Sequence, residues 1–305
     1  MTESVFDQKL PTTIEESNPQ KWLRWFVWKI AIATFLLMGV GSATRVMNAG
    51  LACPDWPLCY GKLVPTSQMN LQVFLEWFHR LDASLIGFST IALVVTSWWF
   101  RKELPKWLPI ASAFSLLLIL FQGVLGGLTV TQLLRFDIVT AHLGTAFLFL
   151  SSLVVIGSIL TPYEGKHNIG KFHWASLITT ILIYTQTILG GLVASRWALH
   201  QCFGVNQLCM VMNSHIIGVF PSTLGIIILG IMSKRQANLN PLLKKLTLAA
   251  GILVIIQILL GIATFYLHLQ VEPLTITHHC IGAALFSILV SLTVFSLRNY
   301  LAVNN

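Results

Sequence analysis

The chain has 305 residues, 55% of them hydrophobic and only 10% charged, with a net charge of +8. Soluble domains carry about 25% charged residues, so the composition excludes an ordinary water-soluble fold. The apolar residues fall in blocks of about 20, the length at which a helix crosses a bilayer.

In chain order, residues 1–25 are polar. They lack the basic start and short apolar stretch of a cleavable signal, so they are read as a disordered cytoplasmic tail. Eight apolar blocks follow, at roughly 26–46, 74–98, 107–131, 139–160, 174–194, 213–232, 247–267 and 275–297. An all-α integral membrane protein of eight transmembrane helices is therefore predicted. With the N-terminus inside, 14 of the Lys and Arg residues fall on the cytoplasmic side and five outside. This matches the positive-inside rule. It also explains the basic balance by topology, with no need of a nucleic-acid partner. Both termini are then cytoplasmic, and loops 47–73 and 195–212 face an oxidising exterior.

The first of these loops holds NAGLACPDWPLCYG, with Cys53 and Cys59; the second holds Cys202 and Cys209. Two close pairs in two external loops predict two intraloop disulfides. A metal site or a redox-active pair is the alternative, although neither pair is a CxxC and the chain has no CxxCH. The fifth cysteine, Cys280, falls inside the last span and is read as a small core residue.

The chain also repeats itself. Span 1 ends GVGSATR (39–45) and span 5 ends GGLVASR (190–196). Spans 3, 5 and 7 share QGVLGG (122–127), QTILGG (186–191) and QILLGI (257–262), and spans 4 and 8 open on IVTAH and LTITH. The pattern predicts two tandem pseudo-repeated four-helix bundles, 26–160 and 174–298, in the same orientation. The glycines either let helices approach closely or make room for a flat ligand.

Four of the nine histidines, His79, His142, His215 and His278, fall in spans 2, 4, 6 and 8. Each lies within about six residues of the external end, less than about 10 Å deep at 1.5 Å per residue. Ionisable side chains inside a span are functional candidates. Two facing imidazoles per bundle are what heme iron takes as axial ligands, whereas structural zinc wants four ligands. The pairs expected are His79/His142 and His215/His278, with His279 as a neighbouring competitor of His278. His167 and His173 are placed in a cytoplasmic loop and His200 and His268 at external helix ends, all read as interfacial. Arg45 and Arg196 close spans 1 and 5, and are candidates for binding heme propionates or snorkelling helix ends. Glu76 precedes His79 by three residues on one helix face, with no acid in the matching place before His215. It is either a chemical group peculiar to the first bundle or the partner of Arg80 in an i,i+4 salt bridge.

GLACPDWPLCYG after a helix ending GSATR, ExxH in the next span, the second Cys pair and the histidines on even spans resemble the bacterial heme A synthase family. The resemblance covers residues 25–298. It implies an enzyme that oxidises the C8 methyl of heme O to a formyl group, giving heme A for terminal oxidases. His79 and His142 would bracket heme O as substrate, and His215 and His278 would ligate a heme B cofactor. Glu76 would be the catalytic acid, and Cys53–Cys59 and Cys202–Cys209 the disulfides. An electron donor, a heme O synthase partner and a plasma-membrane location are the further expectations. His279 beside His278 departs from the simplest pattern. The alternative is a bis-histidine diheme electron-transfer cytochrome, which explains the histidines and the repeat but not the lone Glu76 or the Cys loops. A transporter would want broken helices and a polar midplane site.

Overall fold

A computed structural model describes residues 17–165, 168–195 and 207–304, except the side chains of residues 195, 207–209 and 304. Arg196, His167, His200, Cys202 and the side chain of Cys209 therefore lie outside the described residues, as does the tail before residue 17. Among the described residues are eight helices long and apolar enough to cross a membrane. They are α1 (Asn18–Val46), α2 (Leu71–Trp99), α3 (Leu108–Thr131), α4 (Phe136–Leu160), α5 (Phe172–Ser195), α6 (Gln207–Arg235), α7 (Pro241–Tyr266) and α8 (Glu272–Asn304).

Most helices run past the apolar blocks that announce them, because capping rather than hydropathy sets their ends. Ser17 accepts from the N–H of Gln20, with Pro19 in the first turn, so α1 starts at Asn18 and not near residue 26. Asn70 and Asn240 cap α2 and α7 in the same way. His173, expected in a loop, sits in the first turn of α5, where it is buried and stacked on Tyr300 with ring centroids 4.1 Å apart.

Helices α1–α4 close into one ring, with α1 touching α2 and α4, and α3 touching α2 and α4; α5–α8 repeat this arrangement. The rings join through α1 against α8, α4 against α5 and α4 against α8. Helices α4 and α8 thus lie at the centre. They supply Phe147, Leu150 and Leu153, and Phe286, Leu289 and Leu292, to the core. Phe147 and Phe286 meet edge to face across the junction, 5.3 Å between centroids. The links after α3 and α7 also match. Leu133 and Leu134 in one, and His268 and Leu269 in the other, take the left-handed conformation that turns the chain tightly into the next helix.

In a bilayer, apolar burial does not drive helix association, so close packing and polar pairs must. Hydroxyl pairs tie helix to helix: Ser97–Ser112 (2.7 Å), Ser115–Ser152 (2.9 Å), Ser176–Ser296 (3.0 Å) and Thr180–Thr293 (3.0 Å). Each contributes about 0.6 kcal/mol. At the end away from the Cys53 loop, Arg298 donates to the carbonyls of Ser158 and Thr161, 2.7 Å each, and so satisfies the last turn of α4.

Candidate functional site

Helices α2, α4, α6 and α8 all begin at the end of the molecule that carries the 47–70 loop. His79 and His215 are the ninth residues of α2 and α6, and His142 and His278 the seventh residues of α4 and α8. The four imidazoles therefore lie within one turn of each other in depth. His79 and His215 sit deeper than the apolar blocks suggest, since their helices start earlier.

Each imidazole lies over a glycine of the preceding helix: His79 over Gly41, His142 over Gly126, His215 over Gly190 and His278 over Gly261. Each of these glycines stands five residues before the end of its helix. A Cβ at Gly41 or Gly190 would come within 2.8 or 2.9 Å of the ring's Cε1, and at Gly126 or Gly261 within 3.3 or 3.1 Å. The absence of a side chain thus makes the ring's seat. The contacts also set the register of the repeat. LMGVGS (37–42) of α1 aligns with QGVLGG, QTILGG and QILLGI. The matched helix ends GVGSATR and GGLVASR are out of step with it by two residues.

The Nδ1 atoms of His79, His142, His215 and His278 are buried without a hydrogen-bond partner. Such orphan atoms are costly unless something else satisfies them. His142 lies within electrostatic reach of His79, and His278 of His215. The two expected pairs are therefore brought together, one in each ring of helices. His278 has the glycine seat and a Gln257 neighbour 3.3 Å from its Nε2. His279 turns instead toward the junction, edge to face with Phe147 and near Arg45. No group of three or more His, Cys, Asp or Glu able to hold a metal ion occurs among the described residues. Two imidazoles with unsatisfied nitrogens suit an iron that brings its other four ligands with it, as heme does.

Above the first pair lies the Cys53 loop, closed by a Cys53–Cys59 disulfide with Cα atoms 4.8 Å apart. Glu76 and Arg80 anchor it to α2. Glu76, 4% exposed, accepts from Arg80 through Oε1 and from the N–H of Cys53 through Oε2 at 2.7 Å. Arg80 also donates to the carbonyls of Asp55, Leu58 and Cys53. The i,i+4 pair anticipated from the sequence exists, and it is a loop anchor as well. Asp55 turns the loop back by accepting from Tyr60 N–H (2.6 Å) and Gly61 N–H (2.7 Å), where Gly61 takes a φ of +68° that favours glycine. The Gly61 hydrogen bond above all, helped by Tyr60 and Arg80, holds the Asp55 pKa below the ordinary aspartate value. Trp77 Nε1 donates to the carbonyl of Leu63 (2.7 Å), and Trp56 packs flat against Gly127 of α3.

Arg45, one turn beyond Gly41, is half-buried, and its guanidinium has no hydrogen-bond or ion-pair partner among the described residues. A cation so placed is ready for an anionic group. Cys280 is free and lies against Gly39. Sequence reasoning missed Arg80 and Trp56 as loop anchors. The many polar groups of CPDWPLCYG, which a loop under cover must satisfy, were the available signal.

Residues 24–290 match the cytochrome oxidase assembly protein family. Heme A synthase of Shewanella oneidensis is 28% identical over 90% of this chain and 96% of its own length. Heme A synthase of an Exiguobacterium species is 25% identical over 60% of this chain and 62% of its own length. Heme A synthase of Symbiobacterium thermophilum reaches 32% over 40% of this chain and 41% of its own length. With nearly the whole membrane region matched and the paired histidines in place, the chain belongs to the cytochrome oxidase assembly protein family.

Proposed function

We propose that this protein is a heme A synthase, an oxidoreductase that converts the C8 methyl of heme O into a formyl group. The observation that carries the reading is the pair of half-sites. Each has two imidazoles seated on glycines, with buried and unsatisfied Nδ1 atoms. Similarity to proteins named heme A synthase supplies the chemistry.

In this reading His79 and His142 hold the substrate heme O, and His215 and His278 hold heme B. Heme B, when bound, supplies one-electron transfer. The protein's own residues do the rest. The glycine seats fix the planes of the imidazoles. Arg45 supplies a cation for a propionate, with Arg196 as its counterpart in the second bundle. The disulfide loop, pinned by Glu76 and Arg80, covers the first site and excludes water from it. Glu76 acts as the catalytic acid. Its carboxylate stabilises positive charge developing at the methyl carbon, or takes up its protons, through two successive hydroxylations, each a two-electron oxidation whose oxygen donor and electron acceptor come from outside the chain. The hydrated aldehyde so formed loses water to give the formyl group. The Cys loops face outward from a bacterial plasma membrane, both termini are cytoplasmic, and heme O synthase delivers the substrate.

The test is chromatography of hemes extracted from membranes of a host that makes heme O but no heme A, with and without this protein. Heme A, or its alcohol precursor, is expected only with the protein. Unchanged heme O, in a preparation that holds heme B and is given electron donors, would favour a diheme electron-transfer cytochrome instead.

A further inference from the structure

The four histidine seats share one register but not one set of neighbours. Four residues before each seat glycine stands Leu37 in α1, Gln122 in α3, Gln186 in α5 and Gln257 in α7. Gln122 Nε2 donates to the backbone carbonyl of His142 at 2.9 Å, and Gln186 Nε2 donates to that of His215. Gln257 Nε2 stands 3.3 Å from the Nε2 of His278 itself. An amide carries both a donor and an acceptor, so by turning it can hold either ring tautomer. The Leu37 side chain can do none of this, and only its backbone faces the His79 ring, as the backbones of the three glutamines face theirs.

The second bundle adds a reciprocal fit. Gln186 packs into the space left by Gly218, one turn past His215, and Gln257 into that left by Gly282, one turn past His278. Histidine sits on glycine in one direction, and glutamine sits on glycine in the other. Each histidine of that bundle thus has a glutamine amide beside it, at the backbone carbonyl of His215 and at the ring of His278, within a matched pair of glycines. In the first bundle only His142 has an amide, and neither side has the reciprocal fit.

We propose that Gln186 and Gln257 are positioning residues that hold the paired histidines of the second bundle, one through the His215 backbone and one at the His278 ring, while Leu37 offers the His79 side of the first bundle no such amide, so that the first bundle exchanges its heme and the second retains it. The inference rests on the reading above, in which the first bundle takes a substrate. A substrate heme must leave after each reaction, whereas a resident cofactor must not. The same histidine–glycine frame serves both needs through the residues that stand beside each seat.

The experiment is heme transfer from the purified, heme-loaded protein in detergent to excess apomyoglobin, followed by absorbance. The wild type is expected to lose heme in a fast phase and a slow phase. Gln186→Met and Gln257→Met keep side-chain length but remove the amide. Each should speed the slow phase about fivefold, the effect of one ordinary net hydrogen bond, and leave the fast phase alone. Gln257→Met should also shift the midpoint potential of the slow-phase heme. Leu37→Gln should slow the fast phase. A general loss of packing would instead speed both phases together, and that result counts against the proposal, as do unchanged slow phases in both Met variants. Should the Met variants fail to form the Cys53–Cys59 disulfide or elute as aggregates, Leu37→Gln decides alone, and an unaltered fast phase overturns the inference. Absence of heme A from wild-type membranes would overturn the underlying reading instead, whatever the transfer rates show.

Discussion

The two bundles are built on one plan and finished differently. Both seat two imidazoles on glycines five residues from a helix end. Only the first has a buried carboxylate, Glu76, one turn before its leading histidine. That carboxylate also pins a disulfide loop over the site. The second has Ser214 and Asn213 in that neighbourhood, and a glutamine amide beside each of its two histidines. The lesson, on the proposed reading, is that duplication supplies the frame, and a few polar substitutions on it would separate a site that reacts from a site that holds.

The comparison breaks most sharply at Glu76. Glu76→Gln should lower heme A yield about 100-fold, the scale of losing one transition-state electrostatic group, with heme O or the alcohol accumulating and heme content kept. Normal heme A yield from that variant would remove Glu76 from the chemistry. Next comes the loop. Replacing both Cys53 and Cys59 by Ser removes the closure of a short loop, worth about 2 kcal/mol of order. Proteolysis within 50–65 should become faster while heme content of the second bundle stays unchanged.

A smaller effect distinguishes the seats within each bundle. Gly41→Ala and Gly190→Ala place a Cβ below 3.0 Å from a ring carbon, and Gly126→Ala and Gly261→Ala place it above that. Overpacking of the tighter kind costs about 1–3 kcal/mol. The first two variants should therefore lose more heme than the second two, each from its own bundle, as measured by heme per polypeptide. The smallest effect is that of Asp55. Its pKa is depressed in the folded loop, so its contribution is complete above the ordinary aspartate value. It is lost as pH falls through the lower folded one. Hydrogen exchange at Tyr60 and Gly61 should rise only in that acidic window, and Asp55→Asn should raise it at neutral pH.

Much of this was legible in the sequence, for physical reasons. A span must be long and apolar, so eight blocks became eight helices. A histidine in a span is conspicuous, and four at matched positions gave the pairs that the fold brings together. The Cys53–Cys59 disulfide followed from a close pair in a loop. What escaped was what depends on neighbours rather than on type. The equivalence of Leu37 with three glutamines was hidden because the helix ends align two residues out of step with the glycine seats. Arg80 read as a plain i,i+4 partner because nothing in a linear sequence shows which loop carbonyls will need donors. Helix starts were set too late because Ser17, Asn70 and Asn240 begin helices by capping, which hydropathy does not register. The glycines offered two readings, close packing or space for a ligand. In fact, an imidazole fills that space.

The central claim is that the first bundle holds the heme that is changed and the second the heme that stays. The most direct measurement is the type of heme lost when each pair is removed, in protein purified from a host that makes heme B and heme O. Replacing His79 and His142 by Ala should remove heme O and heme A and spare heme B. Replacing His215 and His278 by Ala should remove heme B. Loss of the same heme from both variants, or of heme B from the first, would contradict the account.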